Sequence, residues 1–193
     1  LGVLGKEILP AVEKEGSIDA LNFKEDPMPQ TRSQDLLCVQ LGYNQFVLKI
    51  NLEGLTDDDG LVEPAGGGNP INWILGHVLN ARGELLGVLG GAPVMTEAEA
   101  APYKRGGEPD LDALAALPLS ALAARFHASQ EGVVSGIQAL EDDALAAPAP
   151  FSPVGNKDET LGTLIAGLVF HESYHLGQIG LLRRLLGKPG ALR

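Results

Sequence analysis

His171 and His175 stand four residues apart in the string His171-Glu172-Ser173-Tyr174-His175-Leu176-Gly177-Gln178. On an α-helix, side chains at i and i+4 leave the same face, where two imidazoles can hold one metal ion. Around them Leu161, Leu164, Leu168, Gln178, Leu182 and Leu185 continue a 3.5-residue seam, the stripe a bundle helix turns toward its core. Buried without partners, the polar groups on that seam would each cost about 1–3 kcal/mol. The histidines are therefore expected to point inward, their desolvation offset by a metal or a complete hydrogen-bond network.

A catalytic zinc usually takes three protein ligands and keeps a fourth position open. His77 and His127 are the other histidines. His77 falls within an apolar stripe formed by Ile74, Val78, Ala81, Leu85 and Val88. His127 lies about 100° away from the seam that passes through Phe126, on a helix flank. His77 is thus the expected third ligand, giving one divalent ion per subunit on His77, His171 and His175. The same string matches HExxH, in which Glu172 would be the general base of a zinc protease. After His175, however, there is no histidine, aspartate or glutamate to complete such a site. A di-iron carboxylate bundle needs two Glu-x-x-His pairs, and Glu172 with His175 supplies only one.

Further polar residues are candidates to line the site or hold its ligands. Gln178 lies one turn beyond His175, and Asn80 and Glu84 follow His77 by three and seven residues. Glu172 adjoins the ligands and could orient one of them. Gln40 and Asn44 form an i,i+4 polar pair on an otherwise apolar helix, which makes them candidates to face the cavity. Trp73 is expected to pack the core. Cys38, within an apolar helical run, is expected to be buried filler rather than a reactive thiol.

Four long helices must position these groups. The spacing predicts helix I from Ser33 to Glu53, buried on more than one side and ended by Gly54. Helix II starts with Asn69 as N-cap and Pro70 as first helical residue and runs to Leu89. Helix III spans Pro118 to Leu140. Helix IV runs from Glu159 to Leu186, about 40 Å, with Gly187 and Pro189 as its stop. Nothing alternates with period two for long, so the class is all-α and the architecture a four-helix bundle. Helices II and III are separated by Gly91 to Leu117, far longer than an ordinary helix hairpin. That link can return the chain along the bundle, hold a short helix at Leu111 to Leu117, and cover a site with Tyr103, Lys104, Arg105, Gly106 and Gly107. Gly66-Gly67-Gly68 lacks the strand and lysine of a phosphate loop and reads as a flexible connector. Residues 1–32, with Pro10, Gly16, Pro27 and Pro29, read as an irregular arm with one short helix around Leu9 to Glu15.

The bulk properties agree with one domain over residues 1–193, the bundle occupying 33–188. With 193 residues, 45% of them hydrophobic, a core can form without staples. A net charge of -11 argues against nucleic acid or anionic lipid as partner, since both require a basic footprint. The basic residues Arg183, Arg184 and Lys188 sit at a helix end, where cations complement the macrodipole. One cysteine suits a reducing cytoplasm. No run of 18 apolar residues and no charged-then-apolar leader appears, so a soluble cytoplasmic protein is expected. The chain begins at Leu1 without a methionine, which leaves the natural N-terminus open.

With His77 after Asn69-Pro70-Ile71-Asn72-Trp73-Ile74-Leu75-Gly76, and with Thr160-Leu161-Gly162 leading into Phe170-His171-Glu172-Ser173-Tyr174-His175-Leu176-Gly177-Gln178-Ile179 and Leu182-Arg183-Arg184-Leu185-Leu186-Gly187, the chain resembles the DinB/YfiT-like superfamily. The resemblance spans Ser33 to Lys188. It implies a four-helix bundle of up-down-down-up topology, a homodimer, and a divalent metal, commonly zinc or nickel, on three histidines that fall on His77, His171 and His175. Relatives include thiol-dependent S-transferases and the mycothiol-dependent maleylpyruvate isomerase. The expected function is therefore a metal-dependent enzyme acting on small molecules, with a low-molecular-weight thiol as cosubstrate. A hydrolase using metal-activated water and a noncatalytic metal-binding protein are the alternatives. No catalytic residue beyond the ligands is assigned.

Overall fold

The computed structural model describes residues 31–106 and 109–191 of the chain. The expected arm and its short helix fall almost wholly outside them. Four long helices dominate: α1 (Ser33–Leu52), α3 (Ile71–Val88), α6 (Leu119–Gln138) and α8 (Leu161–Leu185). Short helices lie between them: α2 (Asp57–Gly60), α4 (Glu97–Ala100) with a 3-10 turn at Ala101–Tyr103, α5 (Leu111–Ala115) and α7 (Asp142–Leu145). Among the described residues no strand forms, and an isolated bridge joins Pro148 to Thr160. None of these helices is long and apolar enough to cross a membrane.

The four long boundaries follow the sequence signals to within one or two residues. Asn69 and Pro70 each shift outward by one place, so that Pro70 is the cap and Ile71 the first helical residue. Thr160 caps α8, its hydroxyl accepting from the Thr163 backbone N–H. The short helices α2, α4 and α7 had no apolar period to announce them. Thr56 and Thr96 nevertheless close capping boxes with Asp59 and Glu99, a local signal that works without periodicity.

Contacts along the helices fix their pairing. On α1 and α8, Asn44 meets Val169 and Asn51 meets Leu176, so the two advance in the same direction. On α3 and α6, the Asn72 amide reaches Leu117 and Arg82 reaches Phe126, again in one direction. Gln34 at the start of α1 binds the Leu140 carbonyl beyond the end of α6, so that pair is antiparallel. The long link between α3 and α6 supplies the return run that parallel neighbours require. Arg183 of α8 closes the far end: its guanidinium donates to the Asn51 and Glu53 carbonyls, satisfying groups that the end of α1 would otherwise leave orphaned.

Burial differs from the amphipathic pattern in two places. α1 is not buried on several sides: Leu37, Leu41 and Leu48 enter the core, while Leu36, Val39, Tyr43 and Phe46 face outward. On α8 the buried line runs through Leu168, Val169, Glu172, Leu176, Ile179 and Arg183. The helix touches both α1 and α3, so its packed face is broader than a two-helix seam and centred one residue past the histidines. His171 and His175 are consequently half-buried on the border of that face. Leu185, assigned to the seam, is exposed.

Candidate metal centre

His77 is oriented before any ligand is considered. Its ring stacks on Trp73 at a centroid distance of 4.9 Å and 14° between planes. Its Nδ1 lies 2.9 Å from the backbone carbonyl oxygen of Tyr103, and a carbonyl can only accept, so that nitrogen carries the proton. The segment that offers this carbonyl is tied down on both sides. The Trp73 indole N–H donates to the Pro102 carbonyl at 3.0 Å, and the buried Tyr103 hydroxyl donates to the Asn72 side-chain oxygen at 3.2 Å. Gly76 permits the approach: a Cβ there would fall 2.2 Å from the Tyr103 ring. With Nδ1 committed, Nε2 of His77 is left with a free lone pair, the arrangement in which a ligating imidazole is held.

The other two rings converge on that lone pair. His77 Nε2 lies 3.1 Å from His171 Nε2. His175 donates its Nδ1–H to the Gln178 side-chain oxygen at 2.7 Å, which frees its own Nε2. One ring nitrogen from each of the three residues falls within 4.8 Å of the others. Among the described residues His171 Nδ1 is buried without a hydrogen-bond partner, and the ring packs edge-on against His77 and His175. Burial, first of all, pushes all three imidazoles below their ordinary value, His171 to about 4, where the neighbouring histidines add to the effect. All three are neutral near pH 7, the form in which an imidazole ligates. The donor set, tautomers and charge state together fit a divalent ion.

The cluster opens into a cleft with two lobes. One, of about 570 Å³, is bounded by Leu164, Leu168, Phe170, His171 and Tyr174 of α8 and by Val154 of the preceding loop. The other, of about 580 Å³, lies under the α3–α5 link, between Met95, Thr96 and Lys104. His77, Asn80, Glu84 and Arg105 border both.

Of the other residues singled out in the sequence, Gln178 holds His175, and Asn80 and Glu84 line the cleft, with the Asn80 amide donating to Glu84 at 3.2 Å. Glu172 does not reach a ligand. It points between the helices and accepts two hydrogen bonds from Arg82, at 3.0 and 3.1 Å, because α8 has turned by 100° between positions 171 and 172. Gln40 is exposed. Asn44 is buried between α1 and α8, bonded to Val169 and Ser173; α1 packs on the side of α8 away from the cleft, so neither residue lines it. His127 stands apart, edge-on to Phe126. Cys38 is half-buried against the Val134 carbonyl, and burial raises its thiol above the ordinary range, as suits filler.

Sequence reasoning did not find the Tyr103 carbonyl, the stacking role of Trp73, or the loop between α7 and α8 that supplies Val154 and Asn156. Every residue has a carbonyl, so its type carries no signal. The loop is pinned instead by main-chain bonds, Ala149 N–H to Glu159 and Leu161 N–H to Ala147.

Comparison with known proteins agrees with this arrangement. The family model of the DinB superfamily matches residues 47–179, a span that includes all three histidines. Among solved structures, a conserved protein from Enterococcus faecalis superposes with a TM-score of 0.63 at 14% identity, covering 82% of this chain and all of that one. At that identity the likeness concerns the fold.

Proposed function

The chain belongs to the DinB superfamily, and from its three-histidine cluster we propose that it is a divalent-metal-dependent enzyme acting on small molecules, of the thiol S-transferase kind. The carrying observation is the convergence of His77, His171 and His175, with ligand atoms within 4.8 Å of one another and two of the three rings locked by acceptors on Nδ1. Zinc or nickel, one per subunit, suits an all-imidazole donor set. Held there, the ion would supply Lewis acidity and would lower the pKa of a thiol bound to it.

The chain's own residues do the rest. The Tyr103 carbonyl and Gln178 fix the tautomers of His77 and His175 so that each Nε2 would be free to hold the ion, and Trp73 stacks on the His77 ring. Leu164, Leu168 and Phe170 provide an apolar wall that accepts an electrophile and excludes water. The protease-like alternative lacks its base, because both Glu172 oxygens are engaged by Arg82. A homodimer is supported by outward apolar residues on the neighbouring helices α1 and α8: Tyr43 and Phe46 on the first, and Leu181 and Leu185 on the second. Exposed apolar residues on neighbouring helices are the kind of surface a second copy can cover. A reducing cytoplasm fits the unpaired Cys38.

Elemental analysis of protein purified without a nickel column tests the metal. About one divalent ion per chain is expected for wild type and His127→Ala, and little for His77→Ala. Equal contents in wild type and His77→Ala would overturn the ligand set. Cobalt substitution then tests the open position: the visible spectrum should change on adding a small thiol.

A further inference from the structure

Arg105 stands where the two lobes meet. It lies two residues beyond Tyr103, whose hydroxyl and carbonyl fasten the segment to α3, so its backbone is held at the cleft although its side chain is exposed. Among the described residues it makes no salt bridge; the pairs found there are Arg32–Asp35, Arg82–Glu172, Arg125–Glu99 and Lys188–Asp59. The carboxylates around it are partly spoken for. Glu159 is bound by the hydroxyls of Ser152 and Thr163, and Glu84 accepts from Asn80. With a divalent ion on the histidines, the cleft would present that ion and Arg105 where the lobes meet, with Lys104 in the second lobe. The larger apolar surface lies to one side, along Leu164, Leu168, Phe170 and Tyr174.

We infer that the cleft takes an amphipathic carboxylate, its carboxyl group on the Arg105 guanidinium and its apolar body in the lobe lined by α8. This deepens the proposed function and rests on it for the reaction, though not for the binding. A guanidinium is planar and offers two parallel donors that match a carboxylate. A cavity of about 570 Å³ is of the size that buries a ligand of ten to twenty heavy atoms. Arg105 thereby sets which end of the molecule lies beside the metal, and the apolar lobe sets its length.

The test is calorimetric titration of metal-loaded protein with 4-phenylbutyrate and with its uncharged amide, in wild type, Arg105→Gln, Arg105→Lys and Val154→Asp. Wild type should bind the acid at least about tenfold more tightly than the amide. Arg105→Gln should weaken the acid about tenfold and leave the amide unchanged, and Arg105→Lys should fall between, because an ammonium keeps the charge and loses the fork. Val154→Asp, at a position 82% exposed and so safe for folding, should weaken both ligands. Equal binding of acid and amide, no binding of the acid, or an acid preference that survives Arg105→Gln because the carboxylate sits on the metal, would each overturn the inference. The same titration on chelated protein separates the two readings. Arg105-dependent binding in protein that never holds metal would retain the carboxylate site and discard the enzyme, whereas normal metal content with no dependence on Arg105 would do the reverse.

Discussion

Two polar layers lie side by side between α3 and α8, and they are built on opposite principles. In one, Arg82 is fully buried and spends every donor: two on Glu172, one each on the Phe126 carbonyl, Ser129 and Gln130, with its Cζ over the Phe126 ring, 3.7 Å from the centroid. In the other, one residue back along α8, three neutral imidazoles converge and a buried nitrogen of His171 has no partner. The first layer is saturated and lacks nothing that a ligand could supply. The second is held from outside, by Tyr103 and Gln178, and left unfinished at its centre. A buried polar group tells little about function by being buried; among the described residues the two layers differ in that neighbouring protein groups complete one and leave the other incomplete.

Breaking the saturated layer should give the largest effect. Glu172→Ala leaves the Arg82 charge uncompensated in the core and is expected to cost about 3–5 kcal/mol, read as a fall in the denaturation midpoint. The metal content of whatever remains folded should be retained. A loss of metal with unchanged stability would mean that Glu172 serves the site after all.

Loosening the unfinished layer should act on the metal instead. Gln178→Leu removes the acceptor on His175 and is expected to weaken metal affinity about 10–100-fold, measured by competition with a chelator, with the thermal midpoint of the metal-free protein little altered. If affinity is unchanged, the hydrogen bond to His175 is incidental.

Acid should separate the layers by pH. His171 is held at about 4, below its ordinary value of 6.5, so the unfolded chain takes up the proton first as the pH falls. The stability of metal-free protein from this group is then fully present above about 6.5 and is lost as the pH drops toward 4, by on the order of 1–2 kcal/mol once partial exposure is discounted. In metal-loaded protein the same protons compete with the ion, so bound metal should be released over the acid side of that interval. A flat metal-free stability profile from pH 7 to 4 would contradict the buried, neutral state of the cluster.

The smallest effect is expected from replacing the saturated layer as a unit. Burial pushes the Glu172 carboxyl up even with the Arg82 guanidinium against it, the sign of a desolvation cost that the pair has to offset. Arg82→Met with Glu172→Leu should therefore stay within about 1 kcal/mol of wild type, and a double-mutant cycle would recover most of the single-mutant loss as coupling. Additive losses would show that the layer stabilises through its other hydrogen bonds rather than through the ion pair.

The four long helices, their ends and the histidines that cluster were legible because each leaves a local mark. Apolar residues recur at the helical period, Asn69 and Pro70 start a helix, Gly187 stops one, and an i,i+4 histidine pair means the same on any α-helix. The partners of those marks were not legible. Glu172, next to a ligand in sequence, belongs to the saturated layer because one step along a helix is a 100° turn. Asn44, polar on an apolar helix, satisfies α8 rather than the cleft, since the side of α8 that α1 occupies is set by packing.

The sequence by itself determined the four long helices and which three imidazoles could share an ion, since helical periodicity and ligand type follow from short-range sterics and side-chain chemistry. Only the tertiary structure decided which face of α8 is the centre of the core, that the Tyr103 carbonyl orients His77, and that Arg105 borders both lobes of the cleft. Those facts depend on segments distant in the chain meeting at distances of a few ångströms, and which of the many compatible meetings occurs is fixed by the collective packing of four helices.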